Sequence, residues 1–228
     1  MPAGTLTNPA LAQQLLDALD ALAGLHPGFR PAHAKGLMCA GLFTPSPEAL
    51  ASFLAAHPHA QRFVETPKPI PTSFAREAFF AVTAFTFTNA NGVSRHGRFR
   101  IRPEAGTEYL SNEEAAAQSA DFLFDEIGQR LTKEPVRLGV FVQMAEPGDD
   151  VADASVPWPD SRPEIPFGTI TLTARVDDQV PDRRRIIFDP VPRVDGIETS
   201  GDPLTDVRSD IYLLSGRRRR AVFRDGRR

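Results

Sequence analysis

Phe79-Phe80-Ala81-Val82-Thr83-Ala84-Phe85-Thr86-Phe87-Thr88, then Asn91-Gly92, then Val93 to Arg102, is the stretch that decides the fold class. Its first ten residues are dominated by aromatic and β-branched side chains, and they predict a strand over 79–88. Asn91-Gly92 is a hairpin signal, because both residues tolerate the positive φ of a tight turn. Val93 to Arg102 then returns as a second strand, with Phe99 and Ile101 on one face. Strands joined by so short a turn pair antiparallel.

Outward from this hairpin the pattern continues. Val136 to Met144 predicts a buried strand, and Phe167 to Val176 alternates as another. A short strand is expected over Arg185 to Phe188, and one more in the apolar run Gly36 to Phe43. Pro147 to Pro166 is a Pro/Asp-rich loop holding Trp158, the single tryptophan. Pro67 to Pro71 is an extended linker.

Helices are expected around the strands. Asn8-Pro9 opens one, with Leu11, Leu15, Leu19 and Leu22 on a face and Gly24 closing it. Pro45-Ser46-Pro47-Glu48 starts a second that runs through Ala56 and stops at Pro58, leaving His57-Pro58-His59 as solvated loop. Ser111-Asn112-Glu113-Glu114 is a capping box. Asp121 to Leu131 is amphipathic, with Phe124, Ile127 and Leu131 together. A last helix spans Pro203 to Ser215, and residues 217–228 form a basic tail. Helices at the ends with antiparallel strands between them define an α+β fold built on a sheet or barrel, not βαβ units.

The bulk composition narrows the function classes. The chain has 228 residues, 41% of them hydrophobic, and a net charge of −3. That balance speaks against nucleic-acid or membrane-surface partners. No apolar run reaches the roughly 18 residues of a membrane-spanning helix. Met1 to Ala10 lacks the pattern of a signal peptide, and Cys39 is the single cysteine, so a reducing, cytoplasmic setting is expected. The histidines His26, His57, His59 and His96 have no metal-ligand spacing, and neither a phosphate-binding glycine loop nor a nucleophile elbow is present.

Two segments carry chemistry. Near the C-terminus the chain reads Phe188-Asp189-Pro190, Gly196-Ile197-Glu198, Ser200, Asp202, then Arg208-Ser209-Asp210-Ile211-Tyr212. Arg208 and Tyr212 are i and i+4, on one helix face. Taken alone, that pair describes a surface arginine packed over a tyrosine ring. Near the N-terminus the chain reads Arg30-Pro31-Ala32-His33-Ala34-Lys35-Gly36.

Together these segments resemble the proximal and distal haem-facing motifs of the catalase superfamily. Further stretches, among them Pro67 to Pro71, Arg102 to Gly106, Phe122 to Glu126 and Ala145 to Asp149, are similar to the smaller bacterial catalase-related peroxidases. The resemblance covers nearly the whole chain. It implies one domain over 1–228 with a catalase-like antiparallel β-barrel and flanking helices, and haem b as cofactor. It implies Tyr212 as the iron ligand, Arg208 as its charge partner, and Arg219 and Arg30 as contacts to haem carboxylates. It implies His33 as the acid-base group acting on a bound peroxide. A phenolate is one of the few protein ligands for haem iron. The expected activity is peroxidase, with a small peroxide as substrate and a small-molecule reductant. Oligomeric state is not readable from the sequence.

The chain departs from this family pattern in one place. Relatives carry a sizeable segment, with further barrel strands and a support for the distal histidine, between the first strand and the helix resembling Ala51 to Pro58. Here Thr44 to Leu50 runs almost directly into Ala51-Ser52-Phe53-Leu54, with the junction near Leu50. The expected barrel is therefore incomplete, with open edges. Three readings follow: a naturally shortened enzyme, a degenerate haem-binding protein without turnover, or a break in the gene record.

Overall fold

The computed structural model describes residues 47–176 and 186–225. The expected strand at Gly36 to Phe43, the helix opened by Asn8-Pro9, and both Arg30 and His33 lie outside them. The chain divides into two compact units, residues 1–68 and 69–228.

In the first unit, helix α1 spans Pro47–Ala56 and helix α2 spans Pro58–Glu65. The second helix corrects the loop expected at His57-Pro58-His59. Proline lacks only an N–H that the first turn would leave unpaired anyway, so Pro58 begins a helix rather than merely ending one. His57 occupies the cap between them, its Nδ1 2.8 Å from the Phe53 carbonyl and its ring stacked on Phe53 at 4.0 Å.

The second unit is built on a six-stranded antiparallel sheet. Its strands are β1 Phe79–Phe80, β2 Phe85–Thr88, β3 Ser94–Pro103, β4 Val136–Met144, β5 Glu164–Leu172 and β6 Ile197–Thr199. They run in the order β5-β4-β3-β2-β6, with β1 also on β3. Among the described residues the order is linear and β5 does not meet β6, so the sheet they form is open, as an incomplete barrel requires.

The expected strand over 79–88 is interrupted. Phe80 faces Arg100 and Phe85 faces Gly97, so the run from 80 to 85 must be accommodated against the shorter run from 97 to 100. Residues 81–84 therefore leave the ladder. The Arg100 guanidinium donates to the Ala81 carbonyl at 3.1 Å, and the Ala81 N–H donates to Phe99 at 3.0 Å, which ties down the break. β5 begins earlier and ends earlier than the expected Phe167 to Val176. Its register runs from Glu164 opposite Gln143 to Leu172 opposite Val136, where β4 itself begins. Ile186 to Phe188 is not strand; the Ile186 carbonyl instead accepts from the Arg219 side chain at 2.7 Å.

Register assigns the two faces. One face carries Phe85, Phe87, Phe99, Ile101, Leu138 and Val142. At one end it is covered by the one-turn 3-10 helix Phe74–Arg76 and by the helix Phe122–Leu131. There Ala75, Val136 and Leu138 form a core with Ile101, Ile127, Leu131 and Leu172. Phe124, expected on that inner face, is exposed and meets Phe74 edge-on at 5.3 Å. The capping box at Ser111 forms as expected and starts the short helix Asn112–Ala116, which is α3; Phe122–Leu131 is α4. At its other end the apolar face carries the rings of Phe85, Phe87, Phe99 and Phe167, with neighbouring centroids 5.5–6.0 Å apart. Phe87 and Phe167, with Val142 and Ile165, border an open cavity of about 480 Å³.

On the opposite face Arg98, Arg100 and Gln143 are buried beside the 146–163 loop, while Arg102 and Arg137 are exposed. Arg98 stacks over Trp158 at 4.1 Å and donates to the carbonyls of Val156, Asp150 and Asp153. Burial, then the neighbouring Arg100 charge, lowers the Arg98 pKa. Gln143 accepts from Arg100 at 2.5 Å and donates to Pro159 at 3.0 Å.

Helix α5 spans Pro203–Asp225 and corrects the expectation of a helix ending at Ser215 with a loose tail. Gly216 does not stop it. That residue is buried against Ile187, whose Cγ1 would lie 3.1 Å from an added Cβ, and the arginines that follow are good helix formers.

Candidate functional site

Helix α5 carries Arg208, Tyr212 and Arg219. Asp202 caps it, its Oδ1 accepting from the Leu204 N–H at 2.9 Å and its carbonyl from Thr205 at 3.0 Å. Burial raises the Asp202 carboxyl above its ordinary pKa, against the cap bond from Leu204 and the Arg98 and Arg208 charges. Thr205, Val207 and Ser209 turn inward, while Ile211, Leu213 and Leu214 remain exposed.

Arg208 and Tyr212 lie where the spacing predicts. The guanidinium carbon stands 5.7 Å from the centroid of the half-buried Tyr212 ring. Arg208 Nη1 also reaches Thr83 Oγ1 at 3.4 Å. Thr83 is buried and sits inside the break between β1 and β2, so the interruption of the strand is what turns its hydroxyl toward α5. Arg219, seven residues beyond Tyr212, falls on the same side of the helix. Its Nη2 donates to the Ile186 carbonyl at 2.7 Å and its guanidinium lies 5.8 Å from the Phe188 ring. Its Nε is buried with no hydrogen-bond partner among the described residues.

A tyrosinate-bound haem would draw on a phenol for its iron, a cation beside that phenolate, and donors for its carboxylates. Tyr212, Arg208 and the unpaired Nε of Arg219 are residues of those types, spaced along one side of α5, so this half of the site fits the group. Arg30 and His33 belong to the other half and lie outside the described residues.

Three contributing residues escaped the motif reading. Thr83 is one of three threonines in the 79–88 run, and nothing local singles it out. Asp189 and Ser209 sat inside quoted motifs without an assigned part. In the fold, Asp189 Oδ1 accepts from Ser209 Oγ at 2.9 Å and from the Val191 N–H at 3.0 Å, and Oδ2 accepts from Arg193 at 2.6 Å. The Arg193 guanidinium, with the Val191 N–H, holds this carboxyl below the ordinary carboxylate range.

The open antiparallel sheet with its flanking helices is a catalase fold. A bacterial catalase matches with a TM-score of 0.62 at 20% identity, over 85% of this chain and 37% of that one. Catalase A from Saccharomyces cerevisiae matches with a TM-score of 0.57 at 20% identity, over 65% and 33%. The family model Catalase matches residues 44–223, and the chain belongs to that family. Catalase-related peroxidase from Mycolicibacterium paratuberculosis is 35% identical, over 81% of this chain and 59% of its own length. Catalase-related peroxidase from Synechococcus elongatus is 32% identical, over 75% and 51%. The chain thus spans between half and three fifths of these relatives. Arg208, Tyr212 and Arg219 fall within the segment matched to the family; Arg30 and His33 precede it.

Proposed function

We propose that this chain is a haem-dependent peroxidase that reduces organic hydroperoxides and also hydrogen peroxide, rather than dismuting the latter, with haem b as cofactor and a small-molecule reductant. The observation that carries the reading is the Arg208 guanidinium over Tyr212, with the unpaired Arg219 donor on the same side of α5. Two relatives named as catalase-related peroxidases support it.

Tyr212 would hold the iron through its phenolate oxygen. Arg208 would offset the phenolate charge, itself steadied by Thr83. Arg219, through Nε, and Arg30 would bind the haem carboxylates. Haem, when bound, supplies the redox-active iron at which the peroxide O–O bond is broken. His33 would accept the proton of the hydroperoxide and return it to the leaving oxygen. A hydroperoxide, two electrons and two protons give an alcohol and water, the electrons coming from the reductant. The segment missing near Leu50 would leave the distal side of the site open, which favours bulkier organic peroxides and leaves a second hydrogen peroxide poorly positioned for dismutation.

The test is turnover of cumene hydroperoxide and of hydrogen peroxide by haem-reconstituted protein. His33→Ala is expected to lower the rate by about 10²–10⁴-fold while haem stays bound. The open sheet also favours a second reading, a haem-binding protein of catalase fold without turnover. Bound haem with no dependence of rate on His33 selects that second reading.

A further inference from the structure

Ser209 is buried and lies in the turn of α5 that begins with Arg208 and ends on Tyr212. Its hydroxyl reaches out of the helix to Asp189 at 2.9 Å. Asp189 is itself fixed, by the Val191 N–H on the same oxygen and by Arg193 on the other. The carboxylate is therefore a rigid acceptor in the segment before β6, aimed at a single point on the helix.

Apolar packing is non-directional and permits a helix small rotations about its axis. A hydrogen bond from one turn to a fixed acceptor removes that freedom, and a charged acceptor makes it stronger than a neutral one. Successive helical residues are about 100° apart, so any rotation that breaks the bond at 209 moves Arg208 and Tyr212 with it. The ion pair of Asp189 with Arg193 adds little stability of its own, since the arginine side chain is 72% exposed. Its effect is to orient the carboxylate and offset its charge near a site meant for an anionic ligand.

We infer that the Asp189–Ser209 hydrogen bond sets the rotation of α5, making Asp189 and Ser209 positioning residues for Tyr212 and Arg208. The inference rests on the haem reading above, in which Tyr212 is the ligand.

The chain has two tyrosines, Tyr109 and Tyr212, so ring-¹³C-labelled tyrosine gives two resolvable sets of signals, assigned with Tyr212→Phe. In haem-free protein, Ser209→Ala is expected to shift the Tyr212 signal and leave Tyr109 in place. Ser209→Thr, which keeps the hydroxyl, restores it. Asp189→Asn keeps the shape of the acceptor and serves as the second variant should Ser209→Ala not fold. On titration with haem, Ser209→Ala is expected to bind about 10–100-fold more weakly than wild type, and Ser209→Thr near wild type. A lowered thermal midpoint with an unmoved Tyr212 signal and unchanged haem affinity overturns the inference. A Tyr212 signal that moves in a protein taking up no haem sinks the haem reading and leaves the positioning of Tyr212 standing.

Discussion

Asp202 shows how one side chain serves two ends that oppose each other. Its oxygen caps α5, yet its burial raises the carboxyl pKa, so the folded state holds the proton more readily than the unfolded chain does. The stability this group contributes is fully present below the ordinary carboxyl value of about 4 and is lost as the pH rises through the raised folded value. Asp202→Asn keeps the cap acceptor and cannot ionise. It is expected to be at least as stable as wild type at pH 7, with the difference closing as the pH falls toward 4, followed by urea denaturation across pH. Asp202→Ala removes the cap and is expected to cost about 1 kcal/mol. At this scale the sequence was legible where a residue belonged to a spaced motif. Arg208 and Tyr212 could be paired from their i, i+4 spacing alone. Thr83 could not, because its partner lies 125 positions along the chain.

Among the elements, β2 and β6 meet through a glycine with little room to change. Gly196 has φ of +79°, and a Cβ there would lie 2.9 Å from the Thr88 carbonyl oxygen. Gly196→Ala is expected to destabilise the protein by about 1–2 kcal/mol, measured as a lowered denaturation midpoint. Gly97→Ala would place a methyl 2.3 Å from Val142 Cγ1 and 3.3 Å from the Phe87 ring, an overpacking expected to cost about 1–3 kcal/mol. The elements read correctly from sequence were those with complete local signals: the Asn91-Gly92 hairpin, the Ser111 capping box and the periodic helix ending at Leu131. The misread boundaries were set by partners elsewhere. β5 stops where β4 begins, and the break at 81–84 answers to Arg100 and Arg208 on other elements. Helix α5 passed Ser215 because Ile187 packs on Gly216, a contact with no local trace.

For the molecule as a whole, the open sheet leaves aromatic side chains uncovered, with Phe167 54% exposed at the end of the face remote from α4. An apolar dye such as anilinonaphthalene sulfonate is expected to bind there and fluoresce, and Phe167→Ser to weaken that signal; equal fluorescence in both proteins contradicts the assignment. The family and an incomplete barrel were readable from sequence because the proximal motif and the short Thr44 to Leu50 junction are both local features. Sequence could not show how α5 is held, since that depends on Thr83 and on the distant 186–189 segment, through Ile186 and Asp189, converging on the helix. The haem reading turns on Tyr212 as the iron ligand. Its most direct measurement is a haem titration of wild type and Tyr212→Phe, followed by the Soret band and ferric electron paramagnetic resonance. Saturable uptake by wild type with a tyrosinate-ligated high-spin signal, lost in Tyr212→Phe, is the predicted result. No Soret band in wild type, or an unchanged spectrum in the variant, contradicts it.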